Sequence, residues 1–238
     1  MLSHAQNFED IILWRALGNI ENGFYIDIGA QHPEIDSVSK VFYDKGWSGI
    51  NVEPTKECAE LLKENRPRDI TIQAAINSNK NPIILYEIKK SGLSTTNKEV
   101  ADRHIRNGYE VIEQITKSVI MDELLAQAGS KEVHWLKIDV EGAEKNSLEG
   151  WSNTKNKPWI LIIESTYPNT QIQTHEEWEN LILEKGYKFA YFDGLNRFYV
   201  SNQHLDFMTH FSSGPNVFDA INHGFKISKT SLFYPDEQ

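Results

Sequence analysis

A single cysteine, Cys58, stands in 238 residues, so the chain can form no disulfide within itself and supplies no thiolate metal cluster. Cys58 falls in a helical pattern where a small buried hydrophobe is expected, and a reducing, cytoplasmic setting fits best. Long apolar runs are also lacking. None approaches the length of a membrane span, and the first ten residues have neither the basic start nor the apolar stretch of a signal sequence, so no membrane insertion is expected. Positive charge is in the minority, with 24 Lys and Arg against 34 Asp and Glu, for a net charge of −10. Such a surface as a whole repels nucleic acid and anionic membranes. With 39% hydrophobic and 11% aromatic residues, well-mixed charges and no repeat, the composition is that of one folded domain over residues 1–238.

What is present begins with Phe24 to Pro33. Phe24, Tyr25, Ile26 and Ile28 form a continuous apolar run, the pattern of a strand covered on both faces of a parallel sheet. Asp27 then lies near its carboxyl end, and Gly29 allows a tight turn. One glycine beside a carboxylate does not make a phosphate loop, which needs several glycines and bare N–H groups. The absence of Gly-x-Gly-x-x-Gly likewise disfavours a nicotinamide oxidoreductase. A second short strand within Gly46 to Pro54 ends on Glu53, where nucleotide-binding α/β folds place a carboxylate on ribose hydroxyls. Ribose together with positive charge describes S-adenosylmethionine.

Along the chain, Ser3 to Leu17 reads as a helix, with Ser3 and Gln6 at capping-box spacing. That spacing accounts for Gln6 as readily as a ligand contact does. Helices are also predicted over Asp36–Tyr43, from about Thr55 to before Pro67, over Met121–Ala128 and over Glu176–Lys185. Further strands are predicted over Ile70–Ile76, Val133–Val140 and Trp159–Glu164. A hairpin follows, Tyr187–Phe192 with Arg197–Val200 about the turn Asp193-Gly194-Leu195-Asn196. Residues 77–117 give no clear pattern beyond a candidate strand at Pro82–Ile88 and a polar loop at Ser91–Asn97.

Four predicted strands end on carboxylates, Asp27, Glu53, Asp139 and Glu164, and ligands of open α/β sheets bind at that end. A strand running through Glu141 would put Asp139 and Glu141 on one side. Crowded negative charge calls for a cation, and a sulfonium with an ammonium, or Mg²⁺, would serve. An imidazole is a common general base near neutral pH, which makes His32 and His175 candidate bases, although an exposed histidine without a role explains either as well.

The chain resembles the FkbM family of S-adenosylmethionine-dependent methyltransferases, from the first helix to roughly residue 220. The resemblance is carried by Gln6–Asp10, the Asp27-Ile28-Gly29-Ala30 turn with His32-Pro33, and Gly46–Pro54. It continues through Gly92–Thr95, Leu136–Glu144, Asp193–Tyr199 and Pro215–Asp219. It implies the class I methyltransferase fold, a seven-stranded sheet of order 3-2-1-4-5-7-6 with strand 7 antiparallel and helices on both faces. It also implies O-methylation of a hydroxyl on a sugar, in a polysaccharide or glycolipid, or on a natural product, with glycosyltransferases as conceivable partners. Pro33 departs from the general pattern, where a later glycine is usual.

By position, the resemblance gives Asp27, Gly29 and Ala30 to the methionine part of the cofactor, Glu53 to the ribose and Asn77 or its neighbours to the adenine. His32 and Ser37 complete the cofactor set. Asp139 and Glu141 would face the transferring methyl group, Asp139 orienting or binding metal, with Glu141 and His175 as base candidates. Gln6, Glu9 and Asp10 would close over the cofactor as a lid formed by residues 1–20, ahead of a core at 21–202 and a C-terminal extension at 203–238. The alternative from another class is a non-catalytic interaction module of a glycan-assembly protein that keeps the fold.

Overall fold

The computed structural model describes residues 2–152 and 156–219. Seven strands form the central sheet: β1 (Phe24–Ile28), β2 (Ser48–Val52), β3 (Ile70–Ile72), β4 (Trp135–Ile138), β5 (Ile160–Glu164), β6 (Tyr187–Phe192) and β7 (Asn196–Ser201). Their spatial order is β3-β2-β1-β4-β5-β7-β6. All neighbours are parallel except β7, which runs antiparallel to both β5 and β6. The sheet has the expected order and reversal.

The continuous apolar strands serve two cores, one on each face. In β5, Leu161 and Ile163 enter one core while Ile160 and Ile162 enter the other, as the two-residue side-chain period requires. The first face is covered by α5 (Met121–Gln127), α6 (Glu144–Glu149) and α7 (Glu179–Glu184), which bury Leu124, Leu148 and Ile182 there. The second is covered by α1 (Glu9–Leu17) and α2 (Val38–Asp44), which bury Ile12, Leu13 and Phe42. On that face Tyr25 stacks on Trp135, with ring centroids 4.9 Å apart. The sheet ends on the three-residue β3 at one margin and on β6, whose pairing is bulged between Phe189 and Tyr191, at the other. Among the described residues no helix is long and apolar enough to cross a membrane.

Several local expectations are corrected. The first helix begins at Glu9, not Ser3, because the Asp10 carboxylate accepts from Ser3 Oγ (2.7 Å) and His4 N (2.8 Å) and folds residues 3–8 into a loop. The Ser3–Gln6 capping box is therefore absent. The third strand stops at Ile72; Ala75–Ile76 leaves the sheet and pairs in parallel with Ser118–Val119. Residues 77–117 contain an antiparallel pair, Ile83–Glu87 with Ile112–Thr116, which brackets helix α4 (Lys98–Arg106). The helix predicted over Glu176–Lys185 is divided into a 3-10 turn, His175–Glu177, and α7. Leu205–Phe211 forms a 3-10 helix whose Phe211 packs into the second core, and residues 220–238 of the expected extension lie outside the described residues.

Candidate functional site

At the carboxyl ends of β1, β2, β4 and β5 lies a cavity of about 850 Å³, within the range of about 300–1,000 Å³ typical of small-molecule sites. Gly29 and Gln31 line it from β1, Glu53 from β2, Lys137, Asp139 and Glu141 from β4, and Glu164 and Thr166 from β5. The peripheral walls are residues 91–94 and Tyr109 from the region between β3 and β4, Asn169 to Gln171 after β5, and the β6–β7 turn at Asp193 to Leu195. Gln6 and Asn7 border it from the N-terminal loop.

Gly29 is where the β1 and β4 loops touch. Its φ is +79°, and a Cβ there would lie 1.8 Å from the Asp139 carbonyl oxygen, so only glycine fits. Glu53 is buried and held from both ends: Oε2 accepts from Gln31 N (3.0 Å), and Oε1 accepts from Thr55 N (2.9 Å) and Thr55 Oγ1 (2.6 Å). Burial raises its pKa, and these hydrogen bonds work against the rise.

Beyond β4 the chain leaves the strand at Ile138, so strand alternation does not align Asp139 with Glu141. A left-handed turn does so instead, with φ of 54° at Glu141 and 90° at Gly142. Glu144 fixes this turn, its Oε1 accepting from Gly142 N (3.1 Å) and Val140 N (3.3 Å). As a result Asp139, Glu141 and Glu164 present carboxylate oxygens within 4.8 Å of one another, a trio able to hold a cation. Glu164 Oε2 is buried without a hydrogen-bond partner among the described residues. Burial, then the neighbouring Asp139, raises the pKa of Glu141 and of Glu164 well above the usual carboxylate range. Glu144 is pushed up to about 7, first by burial.

Lys137, absent from the sequence-based site, is the cation among these groups. Its Nζ lies 2.7 Å from Asp139 Oδ2. Burial opposes its charge, but Asp139, Asp27 and Glu9 outweigh that, and its pKa is raised. Its place, two residues before Asp139 at the carboxyl end of β4, was the available signal.

Of the sequence-based set, the structure brings Gln6, Gly29, Glu53, Asp139 and Glu141 to the cavity. Asp27, Ala30, His32, Ser37, Asn77 and His175 do not line it. Asp27 is buried below, its Oδ2 accepting from Ser39 Oγ (2.6 Å). Ala30 N donates to Val52 O (3.2 Å). His32 Nδ1 accepts from the amides of Glu34 and Ile35, both at 3.1 Å, and closes its own turn. Ser37 Oγ accepts from Arg66 (2.8 Å). Asn77 Oδ1 caps Ser78 N (2.9 Å), while its neighbours Ala75 and Ile76 form the wall. His175 sits in the turn before α7 with Nε2 4.0 Å from Glu179. Glu9 and Asp10, expected in a lid, are buried anchors. Asn196 Nδ2 donates to Glu9 Oε1 (2.8 Å), and burial followed by Asp193 pushes Glu9 up to about 8.

A seven-stranded sheet in this order, its seventh strand reversed and an acid-lined cleft at its carboxyl edge, is the class I methyltransferase fold. The chain belongs to the FkbM methyltransferase family: the family model described as "Methyltransferase FkbM domain" matches residues 27–189. No curated protein matches the chain. Among solved structures it is similar to a methyltransferase FkbM from Methylobacillus flagellatus KT, at 14% identity and a TM-score of 0.48, over 78% of this chain and 47% of that one. It is also similar to a TehB-like SAM-dependent methyltransferase from Corynebacterium glutamicum ATCC 13032, at 6% identity and a TM-score of 0.45, over 81% of this chain and 86% of that one. The chain thus spans about half the length of the first of these.

Proposed function

We propose that the protein is an S-adenosylmethionine-dependent O-methyltransferase acting on a hydroxyl of an uncharged, polyhydroxylated acceptor such as a sugar or a polyketide-type natural product. The observation that carries this reading is the crowding of carboxyl groups around the cavity, whose charged forms a bound cation would stabilise. Among the described residues, Asp36, Glu53, Asp139, Glu141, Glu164 and Asp193 line it together with a single cation, Lys137, which is paired with Asp139. Such a lining suits the ammonium and sulfonium of S-adenosylmethionine and disfavours an acceptor bearing phosphate or carboxylate. Other polar wall residues, among them Gln31, Ser91, Thr96, Asn169, Thr170 and Gln171, are neutral hydrogen-bonding groups matched to hydroxyls.

The residues fit the cofactor. Gly29 lets the β1 loop pack directly on the Asp139 backbone at the cavity floor, and the carboxylate of Glu53, oriented by Gln31 and Thr55, is poised for ribose hydroxyls. When bound, S-adenosylmethionine would supply an electrophilic methyl group. Glu141, whose raised pKa makes it a better base once ionised, takes the proton from the attacking hydroxyl. Asp139, held by Lys137, orients the acceptor, and Glu164 closes the far side. Positioning two bound reactants can supply about 7–11 kcal/mol in favourable cases, so a modest base suffices.

Calorimetric titration with S-adenosylhomocysteine tests the cofactor: micromolar binding is expected, weakened at least about tenfold in Glu53→Ala. No heat at several temperatures from the folded protein would remove the assignment. With neutral saccharide acceptors, Glu141→Gln should cut turnover by about 10²-fold or more and leave cofactor affinity unchanged. The same assay run with EDTA asks whether the carboxylate trio works with a divalent ion, since loss of turnover there would assign it one.

A further inference from the structure

We propose, resting on the cofactor reading above, that Arg66 is the positioning residue of the cavity's first loop. Its guanidinium sets the path of residues 29–37 and thereby the seat of the cofactor.

Arg66 follows α3 (Lys56–Asn65) and precedes Pro67, with its amide donating to Leu62 O (2.8 Å). It is 1% exposed, yet its nearest carboxylate oxygen, Asp69 Oδ2, is 3.9 Å away. A buried guanidinium is normally held in a close bidentate ion pair. Here the fork is turned toward the loop instead. Nη2 donates to the carbonyl oxygen of Pro33 and to Ser37 Oγ (2.8 Å), and Nη1 donates to Ser39 Oγ (2.9 Å) and Tyr25 Oη (3.4 Å). Ser39 Oγ in turn donates to Asp27 Oδ2 (2.6 Å) in β1. One planar group therefore ties the middle of the loop, the start of α2 and the strand beneath.

The loop needs such a tie. Gln31 and Asp36 have φ of 49° and 52°, a left-handed conformation that side-chain-bearing residues adopt only where their surroundings impose it. Both also line the cavity, and Gln31 N donates to Glu53 (3.0 Å). The grip on Pro33 and Ser37 lies between these two residues or next to them. It holds Gln31 against Glu53 on one side and the entry of α2 on the other. A lysine would keep the charge but would have one nitrogen in place of the fork, and could not reach the Pro33 carbonyl and both serines together.

The test compares wild type with Arg66→Lys and Ser37→Ala, using S-adenosylhomocysteine calorimetry, thermal unfolding and amide hydrogen exchange. In Arg66→Lys, binding should weaken at least about tenfold, and exchange over residues 31–37 should quicken while β4 and β5 stay protected. Ser37→Ala, which removes one contact and leaves the guanidinium in place, should show the same local change to a smaller degree and covers the case of Arg66→Lys failing to fold. Unchanged affinity with unchanged exchange at 31–37, in a folded variant, would overturn the assignment, as would faster exchange spread evenly over the sheet, which a purely structural arginine would produce. If wild type itself does not bind S-adenosylhomocysteine, the cofactor reading fails, and the exchange at 31–37 still decides whether Arg66 holds the loop.

Discussion

At Gly29 a hydrogen atom is the largest substituent the structure admits, because the Asp139 carbonyl fills the space of a Cβ and the backbone is left-handed. Gly29→Ala should therefore destabilise the fold by about 2–4 kcal/mol and abolish cofactor binding, read by urea unfolding and calorimetry. An alanine variant with native stability would show that the β1 and β4 loops can part. Glu144 gives a second prediction at this scale. Burial lifts its pKa from 4.5 to about 7, so between those values the folded chain holds a proton that the unfolded chain has released. Its contribution to stability is complete below the unfolded pKa and is lost as pH rises through 7. Glu144→Gln keeps an acceptor for the amides of Val140 and Gly142 and removes the titration. The stability of the variant relative to wild type should then rise by about 2–3 kcal/mol from pH 5 to pH 8, measured by urea unfolding at each pH. A flat difference would contradict the raised pKa. Individual residues were only partly legible in the sequence. Gly29 and Glu53 could be placed because strand ends and turns are local signals. Lys137 was missed: its neighbour Asp139 is close in sequence, but Asp27 and Glu9, which also hold its charge, come from elsewhere in the chain. His175 carried a plausible chemistry that the turn before α7 keeps out of the cavity.

The elements follow a similar division. β1 was legible as a continuous apolar run, β2, β4 and β5 as short strands ending at or beside a carboxylate, and the β6–β7 hairpin through its glycine-containing turn. The pair Ile83–Glu87 and Ile112–Thr116 was not, since its partners are 24 residues apart and its outer face is wet, with Ile115 83% exposed. The first helix was read too long because a capping pattern at Ser3 competes with Asp10, a stronger acceptor that only the folded loop brings near. α1 also anchors the end of the described chain. Arg15 donates to both oxygens of Asp219 (2.7 Å each) and to the carbonyls of His210 (3.1 Å), Ser213 (2.7 Å) and Gly214 (3.0 Å). Arg15→Ala should lower stability by about 1–3 kcal/mol. It should also open residues 212–216 to limited proteolysis, with the sheet still resistant. Unaltered cleavage there would mean that Phe211 and its neighbours alone hold the segment.

For the molecule as a whole, ligand and fold are coupled, because the cavity walls come from both halves of the sheet and from the N-terminal loop. S-adenosylhomocysteine at 100 times its dissociation constant adds about 2.7 kcal/mol to the folded state. For a chain of this size that corresponds to a rise in melting temperature of roughly 5–10 °C, which differential scanning calorimetry would read. A shift confined to near zero with binding independently shown would mean that the ligand also binds a state already open. The sheet's two margins have a consequence of a different kind. A flat, long border strand offers its bare amides and carbonyls to any other extended chain, and amyloid-like polymers grow that way. Here one border is three residues long and the other is kinked by its bulge, with Lys188 on it. Neither gives a straight template of useful length, so the central sheet is guarded against strand-by-strand polymerisation by the shape of its borders.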